Sequence, residues 1–274
     1  MTSADAGTRF RALHDGGCFV IPNPWDRGTA VALAACGFSA LATTSAGFAF
    51  SEGLPDTPTS LTVDRVLRHI ADVVEAVDLP VNADFQAGYA HDPEQLRHNV
   101  TRCVATGVAG LSIEDAVGEG DDPVLPLDQA VERIRTARSA IDESGRDVVL
   151  TGRAECYLYG HPDPLAEAIE RLQAFAEAGA DVLFAPGVAS RDDIATLVDE
   201  LRPHPVNVLK SSGAGLSMRE LAELGVRRIS VGSALSRVAW GAFLAAARGI
   251  ADGDFGSLSG AASFGELNGL FDRG

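Results

Sequence analysis

Positive charge is what this sequence has least of. Its 274 residues include 22 Lys and Arg against 38 Asp and Glu, a formal net charge of −16. Nucleic acids and anionic membrane surfaces are bound through basic patches, so this balance argues against both as partners. An anionic small molecule would have to be held locally, by a metal, an arginine or backbone N–H groups. Lysine is reduced to one residue, Lys210. Cysteine is sparse and scattered. Cys18, Cys36, Cys103 and Cys156 form no CxxC, which removes the usual zinc and disulfide-framework patterns. His69, His91 and His98 have no ligand-like spacing. No uninterrupted apolar run reaches membrane-spanning length, and the polar start MTSADAGTRF does not read as a signal peptide. A cytoplasmic enzyme is the expected class. The first apolar run leads into NPWDRGTA with no GxGxxG, so the glycine-rich turn of a doubly wound open sheet is missing too.

What is present is a regular alternation. With 46% hydrophobic residues the chain can build a sizeable core. Short apolar runs alternate with helical patterns at a period of roughly thirty residues, as βα units do. CFVIPN precedes a helix near Gly28–Cys36, and SALATTS precedes one over Val63–Val77. PVNAD leads to Pro93–Thr106, GLSIED to Leu127–Asp142, and DVVLTGRAE to Pro164–Ala178. ADVLFAP leads to Ser190–Leu201, PVNVLKSS to Ser217–Leu224, and RRISVGS to Ala234–Arg248. Eight such units predict an α/β fold, a closed (β/α)8 TIM barrel. No low-complexity linker divides the chain, so residues 1–274 are expected to form a single barrel domain. Residues 250–274 would be a Gly/Ser-rich tail, serving as an extra helix or an interface segment.

The acids fall where such a barrel would use them. Asp84 closes VNAD, Glu114 closes GLSIE, and Asp56 follows LATTSAGF. Residues just past strand ends gather on one face of a barrel. Carboxylates meeting there repel one another unless a cation joins them, and oxygen ligands suit Mg2+. Asn23, Trp25 and Asp26, the segment Thr44–Ser45–Ala46–Gly47, Gln86, Arg153, Glu155 and Lys210 fall at the same face. Asp26 and Asp115 read more simply as helix caps or ion-pair partners. Glu155 reads as a support that orients Arg153.

From NPWD through LATTSAGF, PVNADFQAGY, GLSIEDA and LTGRAE to ADVLFAPG and RRISVGSAL, the chain resembles the isocitrate lyase/phosphoenolpyruvate mutase superfamily. The resemblance implies a Mg2+-dependent barrel, with Mn2+ as a substitute. It also implies a homo-oligomer, dimer or tetramer, whose last helix extends to or is swapped with a neighbouring subunit. The implied chemistry makes or breaks C–C or P–C bonds beside a 2-oxo acid. Asp84 would bind the metal, with Asp56, Gln86 and Glu114 reaching it through water. Ser45, Ala46 and Gly47 would hold the substrate carboxylate and oxyanion, joined by Trp25, Thr44 and Asn207. Arg153 would stabilise negative charge, and Glu114 and Lys210 complete the candidate catalytic set.

Two departures narrow this expectation. Gln86 stands where the family commonly has a second acid, which removes one negative charge from the metal site. The loop DAVGEGDDPVLP lacks both the cysteine signature of isocitrate lyases and the lysine and asparagine of phosphonate-forming members. The expected function is therefore a metal-dependent carbon–carbon lyase. It would act on a small 2-oxo or 2-hydroxy dicarboxylate by retro-aldol cleavage, decarboxylation or hydrolysis, through a metal-stabilised enolate. The alternatives are P–C chemistry of the phosphoenolpyruvate mutase or phosphonopyruvate hydrolase kind, a Schiff-base aldolase using Lys210, and a non-catalytic metabolite-binding barrel.

Overall fold

The computed structural model describes residues 3–272 except residue 58 and residues 118–122, with side chains from residue 6 onward. The central part of the loop DAVGEGDDPVLP thus lies outside the described residues. A helix α1 (Ser3–Asp15) precedes strand β1 (Phe19–Ile21) and helix α2 (Arg27–Ala35). Then come β2 (Leu41–Ala42), α3 (Ser45–Ser51), α4 (Val63–Ala76), β3 (Val81–Asp84), α5 (Pro93–Ala105) and β4 (Gly110–Glu114). They are followed by α6 (Leu127–Glu143), β5 (Val149–Arg153), α7 (Pro164–Glu177), β6 (Val182–Phe184) and α8 (Arg191–Glu200). The series ends with β7 (Val206–Leu209), α9 (Met218–Glu223), β8 (Arg228–Ser230), α10 (Ala234–Ala251), a short 3-10 helix (Gly256–Gly260) and α11 (Phe264–Phe271).

The eight strands are parallel in the order β1-β8-β7-β6-β5-β4-β3-β2, the ring order of a (β/α)8 barrel. Strands β1 and β2 close it through the Ala42 amide, which donates to Pro22 O at 3.0 Å. Asn23 reinforces this seam. Its amide donates to Thr43 O at 2.9 Å, and its Oδ1 accepts from the Val231 and Gly232 amides at 3.0 and 2.9 Å. One side chain thereby ties the upper ends of β1, β2 and β8.

Local sequence explains where the helices begin. Asp26 and Thr29 form a capping box on α2, and Ser217 and Glu220 form one on α9. Asp92 and Asp163 cap α5 and α7, each followed by proline at the first helical position, where a missing N–H costs nothing. Gly107 and Gly179, at φ +97° and +105°, turn the chain from helix to strand in a conformation that L side chains resist. On α4 the residues Val66, Leu67, Ile70 and Val73 lie one helical turn apart and form its buried face.

The polar N-terminus supplies an element that strand patterning does not reveal. Helix α1 sets Phe10, fully buried, among Ile21, Ala42, Val149 and Val182 at the lower end of the barrel. Burying such a ring contributes roughly 1.5–3 kcal/mol. Above this plug the barrel interior turns polar. Asn82, Ser112, Thr151, Asn207 and Arg228 are all buried strand residues. The branched apolar side chains that usually fill a barrel are replaced there by hydrogen-bonding ones.

Within the tail, helix α11 lies against α2. Helix α10 differs from the others. Ser236 is its one buried residue, while Val238 and Phe243 are 70% and 60% exposed. No helix among the described residues is long and apolar enough to cross a membrane.

Candidate active site

The upper strand ends surround a cavity of about 180 Å3 lined by Ser45, Ala46, Asp56, Asp84, Arg153 and Asn207, among others. Asp84 is held from two sides. Its Oδ2 accepts from the Ser45 amide at 2.8 Å and from Ser45 Oγ at 2.9 Å. Its own amide donates to Thr43 Oγ1 at 2.9 Å, which fixes the strand end beneath it. Its Oδ1 meets Arg153 Nη1 at 3.4 Å, a long contact, so this oxygen is the less committed of the two.

Arg153 is the hub. Its Nη1 lies 3.1 Å from Glu114 Oε2, its Nε donates to Glu155 Oε1, and its guanidinium stands over the Phe184 ring at 5.5 Å. Three acids and one aromatic face thus fix one cation. Burial opposes the Arg153 charge, but Glu114, Glu155 and Asp84 more than reverse this and hold it charged. Burial pushes the Glu114 carboxyl well above the ordinary range. Glu155 and Asp84 add to the rise, and Arg153 pulls against it. Asp56 is raised too, by partial desolvation first and then by the charge of Asp84. Three carboxylates therefore share one guanidinium with a fourth, Asp56, close enough to feel Asp84, so acidic groups outnumber the cation in this cluster.

The expected site residues divide into those that meet and those that do not. Thr44, Ser45, Ala46, Asp56, Asp84, Arg153 and Asn207 line the cavity. Thr44 is the N-cap of α3 and accepts from the Gly47 amide at 3.2 Å, so that N–H is committed to the cap. Gly47 is held small by its neighbours: a Cβ there would stand 2.6 Å from Thr44 Cγ2. Among the described residues, the Ala46 N–H is the amide of this turn without a protein acceptor. Glu114 and Gln86 line an adjoining cavity with Tyr89 and Thr62. Gln86 adopts φ +45°, a left-handed conformation that costs a non-glycine residue roughly 1–2 kcal/mol. The Glu114 amide donates to its carbonyl at 3.0 Å and helps to hold it.

Trp25 and Lys210 are placed away from the cavity. Trp25 lies in an apolar groove with Trp240 and Phe243 of α10. Lys210 sits in the loop after β7, where its Nζ donates to Ala214 O, and it lines a separate depression with Leu158 and Leu216. The capping and ion-pair readings of Asp26 and Asp115 agree with the geometry. Asp26 caps α2, and Asp115 joins Arg171 Nη1 at 3.1 Å and the Glu155 amide at 2.9 Å. Glu155, itself buried, holds Arg153 as expected of an orienting group.

Among the described residues, no three His, Cys, Asp or Glu side chains are grouped so as to enclose a metal ion by themselves. The donor chemistry nonetheless fits one kind of ion. Mg2+ retains several waters and needs only one or two direct carboxylates. Asp84, with its loosely held Oδ1, is suited to direct ligation, and Asp56, Glu114 and Gln86 to hydrogen bonding with waters around it. The unbalanced negative charge is the physical reason for a cation there.

Sequence reasoning missed Arg228. It is 3% exposed, lines the same cavity from below, and begins the short strand β8. The arginine pair of RRIS is the only signal, and it does not say which of the two turns inward.

Residues 10–251 match the family model described as phosphoenolpyruvate phosphomutase. A solved structure from Burkholderia cenocepacia J2315, provisionally named a lyase/mutase, shares 46% identity at TM-score 0.94, covering 99% of this chain and 98% of that one. An uncharacterised protein of Mycobacterium tuberculosis is 32% identical over 88% of each chain. The structure of 2,3-dimethylmalate lyase, a phosphoenolpyruvate mutase/isocitrate lyase superfamily member, aligns at TM-score 0.85 with 27% identity over 97% of this chain and 94% of that one. The barrel, the order of its strand-end motifs and these matches agree: the chain belongs to the phosphoenolpyruvate phosphomutase family, within the isocitrate lyase/phosphoenolpyruvate mutase superfamily.

Proposed function

We propose that this protein is a Mg2+-dependent lyase that cleaves a C–C bond in a small 2-oxo or 2-hydroxy dicarboxylate. The observation that carries the reading is the convergence of Asp84, Ser45 and Arg153 on one cavity inside a surplus of carboxylates. Asp84 would hold the ion, with Asp56, Gln86 and Glu114 ordering its waters, and Mn2+ would substitute. The bound ion supplies Lewis acidity toward a keto or hydroxyl oxygen and its neighbouring carboxylate.

The protein's own groups do the rest. Ser45 fixes one carboxylate oxygen of Asp84 through two hydrogen bonds, which aims the other outward. The free Ala46 N–H offers a donor to a substrate carboxylate. Arg153 is fixed in advance by Glu155 and Phe184, so it presents positive potential where negative charge develops as the bond breaks, without reorganising first. Its charge is secure at any working pH. Glu114, raised by burial, is suited to hold a proton and to exchange it with water in the adjoining cavity.

The names of the relatives support a lyase over the alternatives to different degrees. P–C chemistry is the second reading, because the matching family model carries a phosphomutase name. The missing lysine and asparagine in the loop after β4 weigh against it. A Schiff-base aldolase would need Lys210 in the main cavity, and its Nζ is engaged elsewhere. The exposed apolar side of α10 supports a homo-oligomer, with this helix docked on a second copy.

The test is turnover of a panel of 2-oxo and 2-hydroxy dicarboxylates and phosphonopyruvate with Mg2+, with Mn2+, and with excess chelator. Cleavage of a dicarboxylate that stops in chelator and returns with Mg2+ is the expected result. Full activity in chelator overturns the metal role. Turnover of phosphonopyruvate alone would favour the second reading.

A further inference from the structure

Arg228 presents a problem that the family chemistry leaves unsolved. It begins β8 and points into the barrel, one layer below the acidic ring. Its Nε donates to Asn207 Oδ1 at 3.0 Å, and its Nη2 donates to Thr151 Oγ1 at 3.0 Å. Its Nη1 is buried and has no acceptor among the described residues. No carboxylate among the described residues pairs with it, so its charge meets only neutral oxygens. A buried cation without a counter-ion is costly, far more so than one that is paired. Burial pushes its pKa down to about 9, which still leaves it charged at neutral pH.

The groups beneath offer no compensation. His14 reaches toward it from α1 and is held neutral, its pKa lowered to about 3 by burial and then by the charge of Arg228. Its Nδ1 is bonded to Phe10 O. Asn82 Oδ1, on the lining of the same cavity, is also buried and unpaired. Among the described residues no group balances the guanidinium, and Arg228 lines the cavity together with Asn82, Asn207 and Ser230.

The spacing of the two arginine layers carries the argument further. Thr151, the acceptor for Arg228, precedes Arg153 by two residues on β5, so the layers are separated by roughly 6.6 Å along the strand. One cavity runs between them. A ligand with two anionic ends a few bonds apart would satisfy both.

We propose that Arg228 binds the far carboxylate of the substrate, whose 2-oxo or 2-hydroxy acid end sits at Asp84 and Arg153; this rests on the function proposed above. Arg228 and the polar well of Asn82, Asn207, Thr151 and Ser230 then select short dicarboxylates over the corresponding monocarboxylates. Arg228 takes no part in bond cleavage; it sets which molecule is held.

The experiment compares malate with lactate, which differ by that far carboxylate, using each enantiomer and calorimetric binding in saturating Mg2+. Oxalate, which reaches only the upper ring, serves as the third probe. The wild-type protein is expected to bind one malate enantiomer at least about tenfold more tightly than lactate. Arg228→Gln should bring malate within about twofold of lactate while oxalate affinity stays within about twofold of wild type. Arg228→Lys should retain part of the preference. If Arg228→Gln does not fold, Thr151→Val carries the test, since it frees the guanidinium from one of its two anchors and should reduce the preference.

Equal binding of malate and lactate by the wild type overturns the proposal. So does a malate preference unchanged in the variants, or an equal weakening of all three probes, which is what a purely structural arginine would give. Oxalate separates the two levels of the argument. Loss of its Mg2+ dependence defeats the functional reading beneath the proposal. Intact Mg2+-dependent oxalate binding with an unaltered malate preference defeats only the role of Arg228.

Discussion

Two arginines enter the same barrel in opposite circumstances. Arg153, at the top of β5, is shared by Asp84, Glu114 and Glu155 and covered by Phe184. Arg228, one layer lower on β8, meets an amide oxygen and a hydroxyl and leaves Nη1 unpaired. The upper layer has more negative charge than its cation can offset, and the lower layer has a cation with nothing to offset it. Each imbalance is costly in a desolvated interior, and each is relieved by a charge the chain does not itself carry. Under the proposed function a divalent ion would balance the upper ring, and the far carboxylate of a dicarboxylate would balance the lower well.

The largest expected effect breaks the upper half of this contrast. Asp84→Ala removes the proposed direct ligand and should lower kcat by a factor on the order of 10^3 or more, because in this reading several kcal/mol of charge stabilisation depend on the ion. Loss of Mg2+ binding in the same variant, followed by calorimetry, checks that the cause is the metal. A smaller loss is expected from Arg153→Lys, which keeps the charge but not the fork that serves Glu114 and Glu155 together. Its kcat should fall on the order of 10^2, with KM changed far less. An equal change in both would mean that Arg153 only binds.

The lower half can be probed through pH. His14 has a folded pKa of about 3 against about 6.5 unfolded, so the unfolded chain takes up a proton that the folded one refuses. This contribution to stability is complete above pH 6.5 and is lost as pH falls toward 3, at about 1.4 kcal/mol per pH unit. Urea unfolding between pH 7 and 5 should show a shallower decline in His14→Gln than in wild type. Parallel curves would contradict the isolation of this histidine beside a charged Arg228. The smallest effect concerns the floor of the upper ring. Gly47→Ala places a methyl 2.6 Å from Thr44 Cγ2, and such overpacking costs about 1–3 kcal/mol. Its melting temperature should drop by several degrees, and a neutral result would show that α3 shifts freely.

The barrel was readable because each βα unit announces itself. Asp92 with Pro93, Asp163 with Pro164 and Ser217 with Glu220 fix helix starts locally, and Gly107 and Gly179 fix their ends. Residues that depend on distant partners were less legible. Helix α1 is polar in sequence, and its contact through Phe10 with the barrel floor explains it. Trp25 follows the first strand closely enough to suggest the mouth, but the turn into α2 directs it toward α10. Lys210 stands at a strand end, yet a bond to Ala214 four residues on keeps its ammonium in its own loop. Asp84, Ser45 and Arg153 meet because the parallel strands of one barrel bring their equivalent ends to one face, which spacing does convey. Arg228 was hidden by its neighbours, since an arginine in a short strand does not declare which face it takes.

The central claim is that a divalent ion at Asp84 is required to hold a 2-oxo acid head group in this barrel. Oxalate affinity measured by calorimetry across a Mg2+ titration, in wild type and in Asp84→Asn, tests it most directly. The account predicts binding that rises with Mg2+ in wild type, is absent in chelator, and is lost in Asp84→Asn at every Mg2+ level. Oxalate binding of equal strength in chelator, or a Mg2+ dependence that survives in Asp84→Asn, would contradict it.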